Sequence, residues 1–404
     1  MAVLEKIHTG GFSAYLHGYG AIDSWLNTQA RTEKTINILT NADTASLARM
    51  FDGLRYPGVD LADAALGTDD CARETSVGNV WYFRCADSIR DYRPSFNILK
   101  FFKDCKTNKF HDPDGIYPLL NGIRQDIYNS QKGIRNINNE IRYADIFLKG
   151  LNPNNDYTRT LMNAALILAK YFYKSRLPGD ILKLFYSLPQ GSVPGQEEQR
   201  LFLYELMTSA NPGLGLELLK TSGFLNEFWP EVASLEKADH SKEFHPEGNA
   251  WEHTMETFRH RKASWINAHD FRLSLGLLLH DIGKPHAPSA GSHRYDGHAE
   301  LGEIQARRFL GRLGFNAFLI NDIGFLVKNH MLPAALPRLP LFRTAEIMSS
   351  PLFPTLMELY RCDESSSFKG LDNYYESSAA YQSFLRNKKN PYRTADGKKL
   401  TGRN

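Results

Sequence analysis

The segment from Arg272 to Gly283 constrains the fold more than any other part of the chain. Leu273, Leu275, Leu277, Leu278, Leu279 and Ile282 make it apolar almost all round. A helix of that kind has no face to offer water and is buried. Its C-terminal end nevertheless carries His280 and Asp281, before Gly283 and Pro285 stop it. A lone buried carboxylate is costly, and buried charges are normally paired or bound to a metal. The rest of the chain therefore has to bring partners to Asp281. Lys284 stands beside the pair as an ammonium suited to neutralising phosphate oxygens.

Ten of the 13 histidines lie between His240 and His330. A solvated surface would scatter them, so the clustering points to metal or acid–base chemistry. His240, His260, His269, His286 and His293 are assigned to the surface. His253, His280, His298 and His330 are aimed inward. A helix from Ala250 puts Trp251, Met255 and Phe258 on a core stripe with His253 beside it. His298 opens a helix after the Asp296-Gly297 turn, where a plain helix-first residue is the alternative. His330 ends a helix over Ala317–Met331 whose core side includes Ile320, Ile323 and Val327. Asp363 follows Leu356 and Tyr360 at i+7 and i+3. Imidazole and carboxylate without thiolate suit Mn, Ni, Co, Fe, Zn or Mg. His253, His280, Asp281, His298, His330 and Asp363 suffice for two ions; one ion on His253, His280, Asp281 and Asp363 is the smaller alternative. Two ions can bind phosphate, lower the pKa of a water and stabilise a leaving oxygen.

The 404 residues exceed one ordinary core, and the formal charge of +3 is nearly neutral at that size. Nucleic-acid contact would need local basic surface. Arg124, Lys132, Arg135, Arg142 and Lys149, with Tyr128 and Tyr143 between them, are candidates for such a path or for a solvated helix face. Cys71, Cys85, Cys105 and Cys362 form no C-x-x-C pair, so a reducing cytoplasm is expected. No signal pattern or apolar run of spanning length is present, so no membrane association is expected.

The expected fold class is α+β. Residues 1–120 are mixed, with strands at Phe12–Leu16, Thr35–Leu39, Val80–Phe83 and Phe96–Leu99 and a helix at Thr44–Met50 capped by Asp43 or Thr44. Asp112-Pro113-Asp114-Gly115 is a turn. Strand signals then disappear. Residues 121–239 read as a helical neck and body, with helical spacing at Ile141–Leu148 and Leu161–Tyr173 and a loop over Pro189–Gln196. Residues 240–385 form the His-rich helical unit, and residues 386–404 a basic tail.

The order His253, His280-Asp281, His298, His330, Asp363 resembles the HD superfamily of metal-dependent phosphohydrolases. That resemblance implies an all-α domain, hydrolysis of phosphoesters in nucleotides or RNA ends, and metal ligands at His253, His280, Asp281 and Asp363. A second resemblance is longer. Asn211-Pro212-Gly213 through Leu225, then Phe228-Trp229-Pro230-Glu231, His245-Pro246-Glu247-Gly248 and Trp251-Glu252-His253-Thr254, is similar to the bacterial tRNA nucleotidyltransferases and poly(A) polymerases. Gly11-Phe12-Ser13-Ala14-Tyr15-Leu16 resembles that family's opening strand. His17-Gly18-Tyr19 lies where its phosphate-gripping Gly-Gly would be. Asp23 matches an acidic helix residue, while Ile22 replaces its Arg. Thr35 and Asn37 stand where the family has two metal-binding aspartates. Of the Arg-Arg-Asp-Phe-Thr-Ile-Asn motif, only Asn97 is clearly kept.

Neutral Thr and Asn ligate magnesium far more weakly than carboxylates, and Tyr19 crowds a loop that glycine serves best. The head is thus expected to be a nucleotidyltransferase-like fold without its catalytic metals. The leading expectation is a metal-dependent HD phosphohydrolase acting on nucleotides or RNA-terminal phosphates. In it Asp281 and Lys284 are catalytic, and Lys284 and Arg294 bind substrate. The alternatives are nucleotide addition to RNA, possibly tRNA, and a non-enzymatic RNA-binding or scaffold role.

Overall fold

The computed structural model describes residues 2–26, 35–56, 63–66, 80–91, 100–113, 115–117, 120–121, 124, 157–171, 193–239, 248–261, 271–290, 294–367, 370–390 and 394. The chain divides into two compact units, Met1–Leu206 and Met207–Asn404. The α+β class holds, with a mixed sheet first and helices after it.

In the first unit β1 (Ala14–His17), β2 (Thr35–Thr40), β3 (Ala64–Leu66), β4 (Val80–Cys85), β5 (Phe102–Asp104) and β6 (Phe110–His111) form one sheet in the order β3-β4-β2-β1-β5-β6. Strands β2 and β4 run parallel, with Asn37 opposite Tyr82. A parallel pair needs a crossover connection, and α3 (Thr44–Met50) lies within it. Asp43 caps that helix by accepting from the Ser46 amide at 2.7 Å. The expected turn at Asp112 is held by its carboxylate, which accepts from the Ile116 and Tyr117 amides at 2.8 and 2.7 Å.

Strand alternation divides the sheet into two faces. Ile38, Phe83, Ala14 and Ala64 pack with Ile7 of α1 (Ala2–Thr9) and with Leu47 and Phe51. On the opposite face Leu39 and Phe102 pack with Tyr15, Ala86 and Ile89, and Ala65 packs with Tyr82. Asn37 belongs to this second face, two residues from Leu39. His17 also faces this way and is buried. Burial first, and the nearby Arg84 guanidinium second, lower its pKa to about 3. Helix α2 (Tyr19–Leu26) is tied to α4 (Tyr157–Tyr171) by the Tyr171 hydroxyl, which donates to Asp23 at 2.8 Å, and by the Lys170 ammonium, 3.8 Å from the Tyr19 ring centroid. Arg124 lies over the Trp25 ring at 5.7 Å. The other residues of the expected basic path, the Phe96–Leu99 strand and the Ile141–Leu148 helix lie outside the described residues.

Helix α5 is Gln196–Thr208. The second unit continues with α6 (Pro212–Thr221), α7 (Phe224–Phe228), α8 (Pro230–Ala233), α9 (Ala250–Arg259), α10 (Phe271–Leu279), α11 (His298–Arg312), α12 (Ala317–Asn329), α13 (Leu332–Ala335), α14 (Leu341–Met348), α15 (Phe353–Ser365) and α16 (Asp372–Lys389). Trp229 is fully buried against Phe224 and Phe309, and Arg312 of α11 donates to Glu231 and to the Phe228 carbonyl. The residues after α5 are thereby fastened to the later helices.

Two local expectations are corrected. Strands do not vanish after residue 120: β7 (Ser289–Ala290) and β8 (Arg294–Tyr295) form a small antiparallel hairpin, after Pro285 and Pro288, which keep the preceding apolar helix from running on. The apolar helix also stops at Leu279, not Gly283. The Ile282 and Lys284 amides bond three residues back, to Leu279 and Asp281, which tightens the chain into 3₁₀-type turns. Gly283 within these turns touches α11 directly. A Cβ there would lie 2.0 Å from the His298 carbonyl oxygen and 2.4 Å from the Gly302 amide nitrogen. Absence of a side chain is what allows α11 to lie against the turn bearing Asp281.

Gly283→Ala is expected to destabilise the second unit by about 3 kcal/mol, because backbone rather than a flexible side chain must move; urea unfolding checks this, and an unchanged midpoint refutes it. For His17 the unfolded ring takes a proton near pH 6.5 while the folded ring resists until about pH 3. The head's stability is therefore full above pH 6.5 and falls by about 1.4 kcal/mol per pH unit as pH drops below it. Urea midpoints measured from pH 7.5 to 4.5 should show this extra slope, and His17→Gln should remove it.

Candidate metal centre

All six expected ligands fall in the second unit, on five separate segments. His253 comes from the first turns of α9, whose N-cap Asn249 accepts from the Glu252 amide at 3.0 Å. His280 and Asp281 follow α10. His298 is the first residue of α11, preceded by Gly297 at φ +77°, a conformation that glycine adopts without strain. His330 is the C-cap of α12 and Asp363 lies near the end of α15. His253, His280, Asp281 and His330 are buried, and the Asp363 side chain is 22% exposed.

The side chains converge. The potential ligand atoms of His253, His280 and Asp281 lie within 4.8 Å of one another, as do those of Asp281, His298 and His330. Asp281 is common to both groups. Its Oδ1 is 3.7 Å from His298 Nε2 and 3.8 Å from His330 Nε2, while its Oδ2 is 3.4 Å from His280 Nε2 and 2.6 Å from the Lys284 ammonium. Asp363 joins through His253, its Oδ1 2.9 Å from that ring's Nε2.

The ring nitrogens facing away decide what the inner ones are. His280 Nδ1 meets the Leu277 carbonyl at 2.9 Å, His298 Nδ1 the Tyr295 carbonyl at 2.7 Å, and His330 Nδ1 the Val327 carbonyl at 2.7 Å. A carbonyl oxygen only accepts, so each Nδ1 carries the proton and each neutral ring keeps its lone pair on Nε2. Burial, followed by the neighbouring His280, lowers the His330 pKa to about 4, so that ring is neutral near pH 7. His298 Nε2 and His330 Nε2 then face each other at 3.2 Å, and two lone pairs at that distance repel unless a proton or a metal ion shares them. His280 Nε2 is buried without a hydrogen bond of its own. The donor set therefore fits a divalent cation. It is also anionic: burial works against ionisation of Asp281, but Lys284 and His280 outweigh it and hold its carboxyl well below the usual range. Asp363 is held down likewise, against burial, by its bond to His253.

Lys284 thus stands where expected, beside Asp281. Arg294 is on β8, and its side chain is outside the described residues. One participant escaped the sequence reasoning. The Ser366 hydroxyl lies 3.2 Å from His253 Nδ1. The signal was available, since Ser366 is three residues after Asp363 and so shares its side of the helix. Among the described residues no cysteine joins either ligand group, and burial pushes the Cys85 and Cys362 thiols up to about 12.

The HD domain family matches residues 250–352, which includes five of the six ligands. The CC-adding tRNA nucleotidyltransferase of Thermus thermophilus is 32% identical over 180 residues, 43% of this chain and 40% of that protein. The multifunctional CCA protein of Halorhodospira halophila is 36% identical over 98 residues, 24% of this chain and 23% of its own length. The matched stretches thus span less than half of these relatives. A solved CCA-adding enzyme with ATP aligns over 96% of this chain and 82% of its own at 12% identity, with a TM-score of 0.44. These names correct the leading expectation. The Thermus relative is named for adding nucleotides to tRNA, and nucleotide addition, the alternative, is better supported than an HD phosphohydrolase. Residues 250–352 thus match the HD domain family, and part of the chain is similar to bacterial tRNA nucleotidyltransferases.

Proposed function

We propose that the chain serves nucleotide addition at the 3′ end of tRNA, with nucleotide and tRNA as its partners. Residues 1–120 are the nucleotide-handling head, 121–239 the neck and body, 240–385 a cation-binding HD domain and 386–404 a basic tail. The observation that carries this reading is the 32% identity over 180 residues with a CC-adding tRNA nucleotidyltransferase. In the HD domain His253, His280, Asp281 and Asp363 would hold a divalent cation, and Asp281 would share a second with His298 and His330. A bound cation supplies a Lewis acid for phosphate oxygens. Lys284 adds positive charge beside it, and Arg294 belongs to the adjoining hairpin.

The head departs from what addition chemistry asks for. Positions 35 and 37 of β2 are Thr and Asn, neutral residues in place of acids, and this does not fit a magnesium site. No step of the reaction is assigned to them. This one feature favours a second reading, in which the head binds RNA without extending it.

The two readings separate in an incorporation assay with labelled CTP and ATP on tRNA lacking its CCA end. Under the first, the unmodified chain incorporates slowly and the Thr35→Asp/Asn37→Asp variant at least tenfold faster at low millimolar magnesium. Salt-sensitive tRNA binding with no incorporation by either protein would establish the second reading instead.

The HD site is tested by metal content and melting. After chelation, saturation with Mn²⁺ at a hundred times its Kd should stabilise the chain by about 2.7 kcal/mol. His280→Ala and Asp281→Asn should show no such gain. An unmodified chain that retains no stoichiometric metal and does not shift would remove the site.

A further inference from the structure

We propose that Ser366 is a positioning residue for the cation, setting the proton on His253 so that its Nε2 is free to ligate. The inference rests on the cation-binding reading of the HD domain. His280, His298 and His330 each have Nδ1 held by a backbone carbonyl, a partner that no side-chain change removes. His253 differs, because its Nδ1 meets a side-chain hydroxyl, Ser366 Oγ at 3.2 Å.

A hydroxyl can donate as well as accept, so the tautomer of His253 depends on where the Ser366 proton goes. The geometry answers this. Ser366 Oγ donates to the Asp363 carbonyl at 2.6 Å, the shorter of its two contacts. Its single proton is spent there, and toward His253 it can only accept. Nδ1 therefore carries a ring proton, and Asp363 Oδ1 stands 2.9 Å from Nε2, the nitrogen that must give up any proton for a cation to bind there. One helical turn thus grips both ring nitrogens, Asp363 from one side and Ser366 from the other. Ser366 is 9% exposed, so water competes poorly for Nδ1. Without the hydroxyl the proton can move to Nε2, where it would bond to Asp363 and block the ligand. Partners of this kind typically alter metal affinity ten- to a hundredfold.

The test compares Ser366→Thr with Ser366→Val, which match in shape and differ in the hydroxyl. Mn²⁺ and Zn²⁺ affinities are measured by calorimetry on the full chain, with melting in chelator to show that both variants fold alike. Ser366→Thr is expected within threefold of the unmodified chain and Ser366→Val tenfold or more weaker. Histidine nitrogen shifts in the Zn²⁺-loaded proteins should show His253 protonated on Nδ1 in the first and losing that form in the second. Equal affinity of Thr and Val variants overturns the role of Ser366 while leaving the cation site standing. An unmodified chain that binds neither ion overturns both. Should Ser366→Val not fold, Ser366→Ala replaces it, and affinity within twofold of the unmodified chain overturns the proposal.

Discussion

The second unit is organised around one buried carboxylate. Asp281 stands in the tight turn after an all-apolar helix, 2% exposed, in a place where a single negative charge would be prohibitive alone. One ammonium and three imidazoles surround it. Lys284 reaches one oxygen, His298 and His330 approach the other, and His280 lies alongside. Backbone carbonyls fix the rings so that their lone pairs, not their protons, face inward. Without a cation such a site holds facing lone pairs and an excess of negative charge. With one, the same arrangement is an ordinary imidazole–carboxylate coordination set.

Packing sets how close the ligands come. Gly283 lets the first turn of α11 lie on the HD turn, and Gly302 in the next turn meets the same backbone. A larger residue at Gly283 would lift His298 away from Asp281 without touching a ligand. The positive φ of Gly297 then directs the chain so that His298 begins the helix. Three glycines therefore do for geometry what the histidines do for chemistry.

Much of this was legible in the sequence because the signals are local. An all-apolar segment ending in His-Asp can only be a buried turn with a charge problem, and helical spacing aimed His253, His330 and Asp363 inward. The hidden parts depended on tertiary contact. The helix ended at Leu279 because i→i−3 bonds took over in the turn, which side-chain periodicity does not report. The β7–β8 hairpin is two residues per strand, too short for any alternation to register. Ser366 was overlooked because a serine near a helix end usually bonds its own backbone, and it does so here while also meeting His253. The activity was misjudged for a different reason. The HD ligands form a compact motif with obvious chemistry, whereas the relationship to nucleotide-adding enzymes is spread over many positions with little chemical content of their own.

The two units treat cations oppositely, and the contrast bears on how the chain works. In the HD domain His253, His280 and Asp281, and Asp281, His298 and His330, form two groups that could hold a cation. On the second face of the head sheet, Asn37 replaces an expected acid, and the buried imidazole there, His17, is kept neutral with Arg84 near enough to oppose its protonation. The Arg84 guanidinium is itself paired with Asp63 at 3.0 Å. That face therefore holds little attraction for a divalent cation, and among its described residues Asn37 and Tyr15 supply hydrogen-bonding and aromatic groups. Such groups recognise bases and sugars better than they stabilise a transferring phosphoryl group. If addition occurs, binding and alignment must carry more of it here than carboxylate-held magnesium does in an acid-bearing head, and a rate limited in that way rises when the carboxylates are restored.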